Sequence, residues 1–290
     1  MATEYIKFDA PAPYGVPIGC CIYCRSTEDL SDEHIVPFSL GADIYLTKAS
    51  CAQCAGKLSY VEGYSAREIF GPLRVLYRIQ SRRKNIRLND VPVMVTTELG
   101  EVTRMVPRAE LPVWLALPLF DLPGILNDDV PAPLTSVQTW IWEANDARDR
   151  LQMLRQPGDK SIRLEIATKP EMFARAIAKI GHAFAVGRFS IDGFRPYLPD
   201  IIFGRNPNIA YLIGGAEPPT TPQTLPLGTH RASHHTMTAT LLAREGKPTL
   251  LATTIRLFSF TGSPAYWVIV GEASWGTIAD LMADTPAPTP

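Results

Sequence analysis

Cys21-Ile-Tyr-Cys24 and Cys51-Ala-Gln-Cys54 bracket the segment Asp32-Glu33-His34-Ile35-Val36-Pro37. Each Cys-x-x-Cys turn can supply two thiolates from neighbouring positions, and a tetrahedral zinc takes four. Cys21, Cys24, Cys51 and Cys54 are therefore expected to hold a structural zinc. All five cysteines lie between residues 20 and 54, and residues 55–290 have none. A disulfide framework would spread its cysteines, so clustering in pairs favours a metal. Cys20 either replaces Cys21 as a ligand, at a less regular spacing, or stays a buried free thiol beside the site. Between the pairs, Glu33 sets a metal-binding carboxylate next to a candidate general base, His34. On a strand, such neighbours address a metal and a water from different angles.

The chain has 290 residues, 46% of them hydrophobic, with a mean hydropathy of +0.01. That is enough for a sizeable core and one or two domains. No apolar run reaches the roughly 18–20 residues of a membrane span. The opening MATEYIKFDAPAPYG lacks the basic and apolar regions of a signal peptide. A soluble, cytoplasmic protein without membrane contact is expected. The net charge of −1 is unevenly placed. Residues 1–56 carry three Lys/Arg and seven Asp/Glu, and residues 57–87 carry eight and two, a local balance of +6. A basic stretch directly after the cysteine unit suits a phosphate backbone, and equally a solvated helix face.

Along the chain, residues 1–18 read as an irregular lead-in and Glu33 to Phe38 as a strand. A helix is predicted from Ser50 or Cys51 to about Phe70, with Ser50 as N-cap. Its period continues past Gly71-Pro72 to about Lys84. Strands are predicted near 91–97, 102–106, 136–142 and 161–167, and residues 111–133 give no clear pattern. Glu171 to Val186 is the clearest helix, because Phe173, Ile177, Ile180 and Phe184 recur at helical spacing and Gly187 suits a helix stop. Residues 192–200 read as an ordered loop. Strands near 234–243, 249–260 and 265–271 suggest an antiparallel meander, followed by a short helix from Trp275 to Leu281. His182 reads as a core or capping residue. His230, His234 and His235 read as loop or strand-edge residues, and Trp140 and Trp142 share one strand face.

The cysteine unit resembles the Cys-knuckle branch of the HNH endonucleases, in the His-Me finger superfamily. The resemblance rests on Cys21-x-x-Cys24, Glu33-His34-Ile35-Val36-Pro37 and Cys51-Ala-Gln-Cys54-Ala55-Gly56-Lys57, about a sixth of the chain. It implies an N-terminal ββα-metal unit with a zinc knuckle, which with the mixed α/β region of mainly antiparallel strands read above makes an α+β fold. The expected division is a nuclease domain over residues 1–87, with a basic helical extension, and an accessory domain over 88–290. The accessory domain would position DNA, form oligomers or sense a trigger. By resemblance, His34 is the general base, and Glu33 holds a catalytic magnesium or manganese. Lys57, Arg67, Arg82, Arg83 and Lys84 are candidate phosphate contacts. Expected partners are DNA, with RNA as the weaker alternative, and a second copy of the chain or a partner protein of an antiviral defence system.

Two features depart from the family. Asparagine normally follows the last knuckle cysteine, where this chain has Ala55. A histidine common about two helical turns later is also missing. Glu62 lies on the same helix face as Ala55 and can supply the missing carboxylate. Ala55 fits an engineered Asn→Ala change, a naturally degenerate unit, or a site in which Glu33 and Glu62 suffice. The rival reading is a zinc-knuckle nucleic-acid-binding or assembly protein without chemistry.

Overall fold

The computed structural model describes residues 12–41, 44–77, 79, 90–135, 137–164, 169–217 and 235–283. It is a mixed α+β fold with mostly antiparallel sheets. The N-terminal part runs β1 (Ala12–Pro13), β2 (Leu30–His34), β3 (Ile44–Cys51) and α1 (Ala52–Tyr64). β2 and β3 form an antiparallel hairpin, and β1 lies parallel to the far side of β3. In β3, Ile44 and Leu46 point inward while Tyr45 and Thr47 are half-exposed, the period of two expected of a strand. The hairpin register shifts between Ser31 and Glu33, opposite Lys48, which has a positive φ of 49°. Asp32 supports this irregularity by accepting a hydrogen bond from the Lys48 backbone N–H at 3.1 Å. A bulge of this kind re-aims side chains, and here Glu33 is buried.

The predicted strand at 33–38 is therefore displaced to 30–34, and a 3-10 turn at Phe38–Leu40 ends on Gly41 in the left-handed region. Cys51, not Ser50, occupies the N-cap position of α1, and Ser50 is buried within β3. After Tyr64 the helix widens into a π-turn over Ser65–Ile69, and α2 (Gly71–Leu76) follows. α2 ends at Leu76, short of the predicted continuation toward Lys84, and residues 78 and 80–84 lie outside the described residues.

The next elements are β4 (Asp90–Thr97), β5 (Gly100–Pro107), β6 (Trp114–Leu119), β7 (Gln138–Glu143), α3 (Ala147–Met153) and β8 (Asp159–Arg163). β5, β4 and β8 make one sheet, and β6 and β7 make another. Then come α4 (Pro170–Phe189), β9 (Phe194–Pro196), α5 (Pro199–Ile202), α6 (Ile209–Leu212), β10 (Ile213–Glu217), β11 (Thr236–Arg244), β12 (Lys247–Arg256), β13 (Ala265–Ala273) and α7 (Trp275–Ala283). The predicted meander is present as β11–β12–β13, extended by β10 and β9 on β13. Residues 192–200, expected as a loop, contain β9 and the start of α5. Trp140 and Trp142 pack against the main core.

α4 organises the molecule. It is buried almost all round, which marks a helix covered on several sides. One side lies on β12 and β13, and the other meets α1 and the π-turn. At Gly181 an added Cβ would sit 2.6 Å from Thr253 Oγ1, so glycine allows the helix to approach the sheet. Gly187, read as a helix stop, instead lies within α4, where an added Cβ would sit 2.5 Å from the Tyr14 ring. The helix ends at Phe189, before Ser190 at φ 65°. One continuous hydrophobic core joins Cys21–Leu73 to residues 115–270, across the expected boundary at 87/88.

Candidate metal centre and carboxylate site

The hairpin, the loop before it and the start of α1 bring the four predicted cysteines together. Ligand atoms of Cys21, Cys24, Cys51 and Cys54 all lie within 4.8 Å of one another. Cys24 Sγ and Cys51 Sγ are 3.6 Å apart. Zinc–sulfur bonds of ~2.3 Å in a tetrahedron place sulfurs roughly 3.8 Å apart, so the thiols fit a zinc. Cys20 is half-buried and outside this group. The Cys54 backbone N–H draws the Cys51 thiol down to about 7, whereas burial pushes Cys54 and Cys21 up. A bound dication would favour the thiolate form of all four. Among the described residues, this is the one cluster of three or more His, Cys, Asp or Glu side chains close enough to share an ion.

Tyr23, between the first two cysteines, connects the knuckle to the carboxylates. Its buried hydroxyl donates to Glu33 Oε1 at 3.2 Å. Burial, with the Glu33 and Glu62 charges, pushes its pKa well above the ordinary tyrosine value. The Tyr23 ring also packs on His182 and Phe203.

The predicted pair Glu33 and Glu62 does converge, but around a residue that sequence reasoning did not single out. Lys179, on α4 and 1% exposed, places its ammonium 2.8 Å from Glu33 Oε1 and 2.9 Å from Glu62 Oε1. The same ammonium donates to the backbone carbonyl of His34, and to that of Ile35 at 3.3 Å. Four oxygens thus surround one cation. Burial opposes the lysine charge, but the two carboxylates outweigh it and raise its pKa. The set is closed toward the core and more open at Glu62, whose side chain is 29% exposed. Oxygen donors of this kind suit hard divalent ions such as magnesium and manganese. These oxygens converge on the positive charge of the Lys179 ammonium. The sequence signal was present: Lys179 interrupts the apolar run from Ala176 to Gly181, and lysine is almost never fully buried without partners.

The His34 ring is half-buried and lies near Phe38 and Tyr45, with centroids 5.8 and 5.9 Å away. Ala55 is half-buried in the first turn of α1 and adds no polar side-chain atom. Lys57 and Arg67 are exposed. Arg82, Arg83 and Lys84 lie outside the described residues, as do His230 and His234. The basic stretch is not wholly a surface feature, because Arg74 is buried and donates to the Ala66 carbonyl at 2.9 Å. His235 lies in the loop directly before β11, as expected, and is buried, with Nε2 3.1 Å from the Leu40 carbonyl.

His182 is a core residue, as expected. Its Nε2 lies 2.9 Å from the Ile22 carbonyl, which selects the neutral tautomer protonated at Nε2. Burial, helped by the Arg25 charge, holds its pKa down at about 4. The folded pKa is thus below the unfolded one. Its contribution to stability is complete above the unfolded value near 6.5 and is lost progressively as pH falls toward 4. Between pH 7 and 5 the loss assigned to His182 should be about 2 kcal/mol. Denaturant midpoints of wild type and His182→Gln over that range would measure it. Equal pH slopes for the two proteins would refute it.

No protein-family model, curated protein or solved structure gives a significant match to this chain.

Proposed function

We propose that the chain is an HNH-type, metal-dependent phosphodiesterase acting on DNA, built on a structural zinc knuckle. The observation that carries this reading is the convergence of Glu33, Glu62 and two main-chain carbonyls on one cation position beside His34. The β2–β3 hairpin followed by α1 has the order of a ββα unit, with the cysteines at its base. Cys21, Cys24, Cys51 and Cys54 hold the zinc and fix the loop that positions Tyr23. Tyr23 in turn orients Glu33. Glu33 and Glu62 are the ligands for magnesium or manganese, and Ala55 supplies none. When bound, that ion would stabilise charge on the phosphate and the leaving oxygen. His34, as a neutral imidazole, takes a proton from the attacking water. Lys57 and Arg67, both exposed, are the candidates for phosphate contacts on this reading, with sequence-independent affinity that weakens as salt rises. The region beyond residue 87 contributes α4 to the site and, on this reading, also serves DNA positioning, self-association or sensing.

Nicking of supercoiled plasmid in magnesium or manganese tests the proposal. Wild type is expected to nick, and His34→Ala to lower the rate by roughly 100-fold or more. Ala55→Asn should raise the rate. Equal rates for wild type and His34→Ala, or cleavage that persists without a divalent ion, would discard the reading. RNA added as a competitor separates the two nucleic acids. One observation favours a second reading, binding or assembly without cleavage: the oxygen cradle already holds an ammonium. A gel shift with DNA and no cleavage by any variant would select it.

A further inference from the structure

The Glu33–Glu62 site carries its own cation, and we infer that Lys179 competes with the divalent ion for the same four oxygens and so sets the metal concentration the site requires. The inference rests on the nuclease reading above. A divalent ion bound by Glu33 Oε1 and Glu62 Oε1 would take the position of the ammonium, because both oxygens lie within 2.9 Å of the Lys179 nitrogen. Charge favours the exchange once the ammonium is gone. The two carboxylates and Lys179 sum to one net negative charge, whereas two carboxylates and a dication sum to zero. The donors are all oxygen, and the two carbonyls of His34 and Ile35 are fixed by the end of β2 and the backbone that follows. Removing Lys179 therefore leaves a cradle whose chemistry suits magnesium or manganese better than any other charge at hand. Lys179 itself comes from α4, whose opposite face lies on the large sheet. A shift of that helix would withdraw the ammonium, which links occupancy of the site to the packing of the rest of the molecule.

The test is manganese binding to the zinc-loaded protein, followed by the loss of the free-ion electron paramagnetic resonance signal. Lys179→Met keeps a long apolar stem without the charge, and Lys179→Gln keeps a polar end without it. Either variant, if folded by circular dichroism, should bind one manganese per chain roughly tenfold or more tighter than wild type. The gain should vanish when Glu62→Gln is added. If neither variant folds with zinc as the only divalent ion, manganese should restore its circular dichroism spectrum, and failure to do so overturns the inference. A folded variant that binds no tighter than wild type also overturns it. The two proposals fail separately. Tighter manganese binding without DNA nicking would remove the nuclease reading and leave Lys179 as the competing cation. Nicking by wild type at the same low metal concentration as the variants would retain the nuclease and remove the competitor.

Discussion

Cys54→Ser is expected to abolish zinc binding and unfold the N-terminal part of the protein. Three of the four ligand cysteines are buried, and the loop carrying Cys21 and Cys24 is itself part of the core through Ile22 and Tyr23. Zinc bound by four thiolates contributes on the order of 10–16 kcal/mol in small knuckles, comparable to the whole stability of an ordinary domain of roughly 5–15 kcal/mol. Elemental analysis should give one zinc per chain for wild type and none for Cys54→Ser. Thermal melting should show the variant losing its main cooperative transition or shifting it far downward. Cys20→Ser is the control, since Cys20 stands outside the four-thiol group. If Cys20→Ser lost the zinc and Cys21→Ser kept it, the ligand set would have to be redrawn. A wild-type protein that stays folded and zinc-free after treatment with a strong chelator would remove the structural role altogether.

Lys179→Ala should lower stability by about 3–5 kcal/mol when zinc is the only divalent ion present. The cost comes less from the lost attraction than from what remains: a buried Glu33 facing Glu62 with no cation between them. Adding Glu33→Gln to Lys179→Ala should therefore recover a substantial part of the loss. Denaturant unfolding of wild type, both single variants and the double variant closes the cycle and isolates the coupling. Additive effects would mean that Lys179 acts mainly by filling space. That outcome conflicts with an ammonium held by two carboxylates and two carbonyls.

The four cysteines were legible because short-range spacing alone is enough to pair them. Glu62 was legible as a partner of Glu33 because helical periodicity turns it toward the same side as Ala55. Lys179 was not, since it lies 146 positions from Glu33 and meets it only through the packing of α4 on α1. No local pattern encodes such a meeting, although an unexplained lysine on an apolar helix is a reason to look for one. The strands of the meander and the hairpin at 91–106 were visible from alternation and turns. β6 was obscured by the prolines around it, and Pro118 stands within the strand itself. β10 was missed because two of its five residues are glycine, which carries no strand signal; both approach the Phe120–Pro123 segment too closely for a side chain. The helix stop at Gly187 was misread because glycine serves two purposes, and here it makes room for Tyr14 and Leu46.

The placement of α4 also limits how this protein could be divided or borrowed. A fragment ending at residue 87 would keep all four cysteines but lose the ring of His182 against Tyr23 and the ammonium between Glu33 and Glu62. It would also bare the apolar face of α1 that α4 covers. The knuckle is thus not a transplantable module as its compact motif suggests. Grafting it onto another scaffold would require a helix crossing at the same place, with a basic residue or a metal supplied to the same oxygens.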